Sequence, residues 1–226
     1  MTFHLGVEDI EPGNWVAWIF EMPGCYARAS TRDEAIALAP EAIDEHLRRL
    51  TAAGYSTPKA PPPYEIIIAE ESRARPYSPD YLINAFFKND RLPLAECDIE
   101  YARLILDLNR KELMETISDL SDEVLTRTIE GEVQKNIHGI IRHIGSAEWW
   151  YWDRLGRAFP REERPKEIFE LLKVMREFTL THLSDLVGLT ETTVCLDETW
   201  SARKLLRRAV WHERVHTLQI KRYLKK

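Results

Sequence analysis

WSARKLLRRAVWHERVHTLQIKRYL, residues 200–224, has apolar side chains recurring every three or four positions, the spacing of an amphipathic helix. Residues four apart on a helix differ by about 40° in direction, so His212 and His216 project together and can share one cation. They extend the stripe of Leu205 and Ala209, which points them inward. Residues 212–216 spell HERVH and match the HExxH pattern of zinc proteases, in which the glutamate is the general base. The common zincin patterns take their third ligand from beyond the motif, and no His, Asp or Glu follows His216. The protease reading fails on that ground. Glu213, about 100° from His212, is read as a surface residue with a smaller chance of approaching a metal.

Upstream, three further amphipathic segments span about 98–120, 134–156 and 165–187. Ser121 to Glu123, Phe159 with Pro160, and Gly188 provide the breaks between the segments. Four such helices in succession predict an up-and-down four-helix bundle over 98–226.

On the second of these helices His143 continues the row of Ile140, with Ala147 and Tyr151 above it. It therefore faces the same interior as His212 and His216. Three imidazoles buried together are costly unless each nitrogen finds a partner, and a divalent ion satisfies one nitrogen on every ring. Three nitrogen ligands also leave an open coordination position, as in catalytic zinc sites. The alternative is a set of core histidines bonded to carboxylates or backbone. His138 is about 140° from His143 and is expected to face outward or into a neighbouring groove. His182 is a candidate fourth ligand or supporting group; His4 and His46 need no functional reading. The run EWWYW, 148–152, reads mainly as core anchors, with Tyr151 on the histidine face as a candidate pocket wall.

The N-terminal part is different in kind. WVAWIF (15–20) and CYARAS (25–30) read as two strands joined by a turn at Pro23 and Gly24. A helix follows, opened by Thr31 and Glu34 in capping-box spacing, bent at Pro40 and ended by Gly54. The proline cluster TPKAPPPY (57–64) separates it from a third strand, EIIIA (65–69). This makes a small α+β domain over 1–75, and 76–97 reads as a packed connector. The fold class is α+β.

Hydrophobic residues at 44% and charged residues at 30% of 226 describe an ordinary globular protein. Its N-terminus lacks the features of a signal peptide, and no apolar run is long enough to span a bilayer, so a cytoplasmic protein without membrane partners is expected. A net charge of −6 argues against nucleic acid as the main partner. The last helix is locally basic, with Arg203, Lys204, Arg207, Arg208, Arg214, Lys221, Arg222, Lys225 and Lys226, and this reads as a solvated face matched to the helix dipole. Cys25, Cys97 and Cys195 lie too far apart for a CxxC pair and read as buried thiols.

IRHIGSAEWWYWDRL and HERVHTLQIKRYL together resemble the DinB-like superfamily of four-helix bundles, also described as YfiT-type, over about 98–224. The resemblance implies that His143, His212 and His216 bind a divalent ion, nickel or zinc. It also implies a homodimer, and relatives that include thiol-dependent transferases acting on small molecules. Residues 14–58 resemble the HicB-like fold in their order of strand, PGC-type turn, strand and helix. That resemblance implies a protein partner; the alternative to an enzyme is thus a partner-binding or stress-response regulatory protein whose bundle serves as a dimerisation scaffold. Its relation to ribonuclease H raises Asp9, Glu21, Asp33 and Glu34, which do not read as a two-metal carboxylate cluster.

Overall fold

The computed structural model describes residues 1–57 and 62–225. Of the proline cluster, residues 58–61 lie outside the described residues. The chain forms two compact units, one of Met1–Leu92 with Val194–Thr199, the other of Pro93–Thr193 with Trp200–Lys226.

The first unit is built on a four-stranded sheet of β1 (Thr2–Glu11), β2 (Asn14–Ile19), β3 (Tyr26–Ala29) and β4 (Glu65–Arg73), in the order β3-β2-β1-β4. β1 and β2 pair antiparallel, as do β2 and β3, while β4 runs parallel to β1. The sequence reading missed β1. Its alternation of Phe3, Leu5 and Val7 is blurred by Gly6 and Glu8, both buried here. Glu8 accepts from the Trp18 indole at 3.0 Å and the Ala85 amide at 2.5 Å, which compensates the desolvation of its carboxylate.

The expected helix is two helices, α1 (Arg32–Ala37) and α2 (Ala39–Ala52), because Pro40 occupies the first turn of the second. Thr31 caps α1 through the Glu34 amide, and Gly54 follows α2 with φ +86°, a conformation glycine adopts without strain. Ile43, Leu47 and Leu50 of α2 are buried. Part of the expected connector is a hairpin, β5 (Arg75–Ser78) with β6 (Tyr81–Ile83), turning at Pro79 and Asp80.

The second unit contains four long helices, α3 (Glu96–Ile117), α5 (Ile137–Asp153), α6 (Ile168–His182) and α7 (Ala202–Leu224), and one short helix, α4 (Asp122–Thr126). A hairpin, β7 (Thr193–Cys195) and β8 (Glu198–Trp200), precedes α7 in the chain, and its residues Val194–Thr199 belong to the first unit. α3 packs on α7, α7 on α5, and α5 on α6. Leu113, Ile117, Ile137, Ile140, Ile141, Ile144, Leu172 and Ile220 form a shared core cluster, so every long helix contributes to one apolar centre. Among the described residues no helix is long and apolar enough to cross a membrane.

The segment between α4 and α5 is held against the start of α5. Asn136 caps α5 by accepting from the Gly139 amide at 2.8 Å, and a Cβ on Gly139 would lie 2.0 Å from the Gln134 carbonyl oxygen. No flexible side chain can yield at that contact, because the atom the Cβ meets belongs to the backbone. Gly139→Ala is expected to displace this segment and cost about 1–3 kcal/mol, the usual range for overpacking. Urea denaturation checks it: the midpoint should fall at unchanged slope, and an unchanged midpoint contradicts the contact.

Candidate metal centre

α7 is capped by Ser201, whose hydroxyl accepts from the Lys204 amide at 3.1 Å, and carries His212 and His216 one turn apart. α5 carries His143. The three rings meet with centroids 4.4–4.9 Å apart. Their outer nitrogens face one another: Nε2 of His212 lies 3.1 Å from Nε2 of His143 and 3.2 Å from Nε2 of His216. The ligand atoms of all three fall within 4.8 Å of one another, and this is the one such group of His, Cys, Asp and Glu found among the described residues.

The donor set fits a divalent ion. Nitrogens about 2.1 Å from one cation and 90–109° apart are separated by about 3.0–3.4 Å, which matches both short contacts. Hydrogen bonding alone fits less well. Each ring nitrogen offers one in-plane position, a proton or a lone pair, so Nε2 of His212 can satisfy only one of its two close neighbours. A cation satisfies all three at once.

The electrostatics favour the ligand form of the rings. Burial, followed by the charges of His216, His143 and Arg208, holds His212 well below the ordinary imidazole pKa. Burial also lowers His143, and the carboxylate of Glu132 partly opposes that. Neutral imidazole carries the lone pair a metal needs. His212 is buried, whereas His143 and His216 are half-buried.

The ring of Tyr151 stands edge-on to His212 at 5.8 Å and also packs on Trp200, as the spacing suggested. The other rings of EWWYW pack away from the histidines. Trp149 packs with Leu171 and Met175, Trp150 meets Trp200 edge-on at 5.2 Å, and Trp152 donates to the Thr179 hydroxyl at 3.0 Å.

Several expectations are corrected. Glu213 is 2% exposed and not a surface residue. It accepts from Arg110 at 2.6 Å and from Arg176, and Arg176 also bonds Glu148 at 2.8 Å. One charged residue from each of α3, α5, α6 and α7 thus joins a buried network beside the histidines. The signal was present in the sequence, since Arg176 stands four residues after Leu172 and three before Thr179, both buried, on the inward stripe of its helix. The basic residues of α7 do not form one solvated face, for Lys204, Arg207 and Arg214 are buried. His182 is not with the triad; it pairs with Asp185 at 2.8 Å and packs on Phe178. His138, expected to face away from the triad, is half-buried and outside the group. Of the thiols only Cys25 is buried, Cys97 being exposed and Cys195 half-buried. In the first unit Glu21 pairs with His4, Asp33 with Arg32, and Glu34 accepts from Ser30.

Sequence reasoning passed over Glu132, which accepts from Gln219 and Tyr223 at 2.5 Å each, while Gln219 Oε1 lies 2.6 Å from His216 Nδ1. Glu132 comes from an irregular segment without periodicity, so only the folded chain shows where it lies.

No curated protein and no solved structure matches the chain. Residues 105–220, just over half of it, match the family model described as the DinB superfamily, and the match takes in all three histidines. A chain with this match, and with His143, His212 and His216 gathered across two of its helices, belongs to the DinB superfamily.

Proposed function

We propose that His143, His212 and His216 hold a divalent cation, nickel or zinc, and that the second unit uses it in a thiol-dependent transfer or a hydrolysis on a small molecule. The observation that carries this reading is the convergence of three Nε2 atoms with contacts of 3.1 and 3.2 Å. A cation bound there supplies a Lewis acid that lowers the pKa of a thiol or water ligand and makes it a stronger nucleophile. The chain does the remaining work. His143 and His216 are half-buried, Tyr151 covers His212 on one side, and the ionic network behind Glu213 ties α7 to α3, α5 and α6.

The test supplies the full chain with Ni²⁺ or Zn²⁺, a low-molecular-weight thiol and an electrophilic aromatic compound, and follows loss of free thiol. Turnover is expected to require the metal and to vanish in a His143→Ala, His212→Ala, His216→Ala triple variant. Equal thiol loss in both proteins contradicts the reading.

A second reading concerns the first unit. The order β2, turn, β3, helix supports a HicB-like fold, and β4 is an outermost strand with Ile67 and Ile68 exposed, a feature that supports partner binding by strand addition. If the full chain retains a protein partner and the triple-histidine variant keeps its cellular role, this reading replaces the enzymatic one.

A further inference from the structure

We propose that Glu132, acting through Gln219, fixes the proton of His216 on Nδ1 and thereby presents the Nε2 lone pair to the metal centre. A carboxylate only accepts hydrogen bonds, and both oxygens of Glu132 are engaged: Oε2 accepts from the Gln219 amide and the Tyr223 hydroxyl at 2.5 Å each, Oε1 from the Gln134 backbone N–H at 3.2 Å. Gln219 must therefore turn its NH₂ group toward Glu132. Reversing that amide would set its carbonyl oxygen against the carboxylate, acceptor to acceptor.

The same orientation points Gln219 Oε1 at His216 Nδ1, 2.6 Å away. Oε1 also only accepts, so Nδ1 carries the hydrogen and Nε2 is left with its lone pair. That nitrogen is the one lying 3.2 Å from Nε2 of His212. Neutral histidine in water prefers its proton on Nε2, the tautomer that would block the centre. Glu132 is thus a positioning residue that acts through another side chain, as outer partners of metal ligands commonly do.

The segment that carries Glu132 is shaped for the task. Ile129 donates to the Lys135 carbonyl at 2.8 Å, Lys135 donates to the Glu132 carbonyl at 3.0 Å, and Gly131 and Lys135 take φ of +75° and +69°. Positive φ in the lysine costs energy that the surrounding bonds must offset. Gly139 then lets the segment lie directly on α5.

The affinity part of the test rests on the proposed metal function, whereas the tautomer part needs no metal. Long-range ¹H–¹⁵N NMR of the imidazoles is recorded on the full chain stripped with chelator, for the unmodified protein, Glu132→Ala and the isosteric Glu132→Gln. His216 is expected to show the Nδ1–H form in the unmodified protein. It should show a mixture in Glu132→Gln, whose amide tolerates either orientation of Gln219, and mainly the Nε2–H form in Glu132→Ala. Zn²⁺ affinity, read by competition with a chromophoric chelator, should fall about 10–100-fold in Glu132→Ala. An Nδ1–H His216 in all three proteins overturns the proposal. So does Zn²⁺ binding that is equally tight in Glu132→Ala and the unmodified protein, and the metal centre would survive that result. Failure of the unmodified protein to bind Zn²⁺ counts against the metal centre, and the NMR then decides the role of Glu132.

Discussion

His212→Ala is expected to leave the purified protein without stoichiometric metal. Both short nitrogen contacts run through His212, so its loss removes the ligand that links the other two and leaves two imidazoles to hold the ion. Binding free energies of about 10–16 kcal/mol for four-ligand zinc sites put each ligand at roughly 3 kcal/mol, so affinity should fall at least about a hundredfold. Elemental analysis after equilibration with limiting Zn²⁺ or Ni²⁺ checks this. Thermal stability provides a second readout. At a free metal concentration 100 times Kd the unmodified protein gains about 2.7 kcal/mol over its chelated form, roughly 5–10 °C for a domain of this size. The variant should show no such difference. One equivalent of tightly held metal in His212→Ala contradicts the ligand assignment.

Arg176→Ala should be the most destabilising single change in the second unit. Arg176 bonds Glu148, Glu213 and the Leu106 carbonyl, the last at 2.7 Å, and all three charged groups are under 10% exposed. Its removal leaves two buried carboxylates with Arg110 as their shared cation. Breaking a buried ion pair on one side costs about 3–5 kcal/mol, because the remaining charge keeps its desolvation penalty. Converting Glu148 and Glu213 to glutamine in the same chain should recover part of the loss. The pH dependence separates this effect from simple loss of packing. Burial acts to raise the Glu213 pKa, but the charges of Arg176 and Arg110 outweigh it and hold the group below the ordinary 4.5. Its contribution is therefore complete above about pH 4.5 and is lost as pH falls through the lower folded value. Denaturation followed between pH 6 and 3 should show a steeper loss in the unmodified protein than in Arg176→Ala; parallel curves contradict the assignment.

The parts of the molecule that were legible in the sequence are those governed by period. His212 and His216 are one turn apart on a long stripe, and His143 continues the row of Ile140, so three helical positions placed three rings in one interior. Pro40 marked a real interruption, although it opens a second helix where a bend was expected. What escaped was governed by tertiary partnership. Glu213 reads as surface when charge is the guide, yet it is buried because Arg110 and Arg176 arrive from other helices. Lys204, buried and 4.6 Å over the Trp200 ring, misled in the same way. β1 was hidden by a buried glutamate that no local pattern explains, and Glu132 by a segment with no period at all.

The central claim is that three histidines from two helices make a metal centre. The most direct measurement is anomalous scattering from crystals of the full chain supplied with Ni²⁺ or Zn²⁺, recorded on both sides of the metal's absorption edge. A single strong peak is expected about 2.1 Å from the Nε2 atoms of His143, His212 and His216. Ordered rings with no peak between them, or a peak held by other side chains, would contradict it.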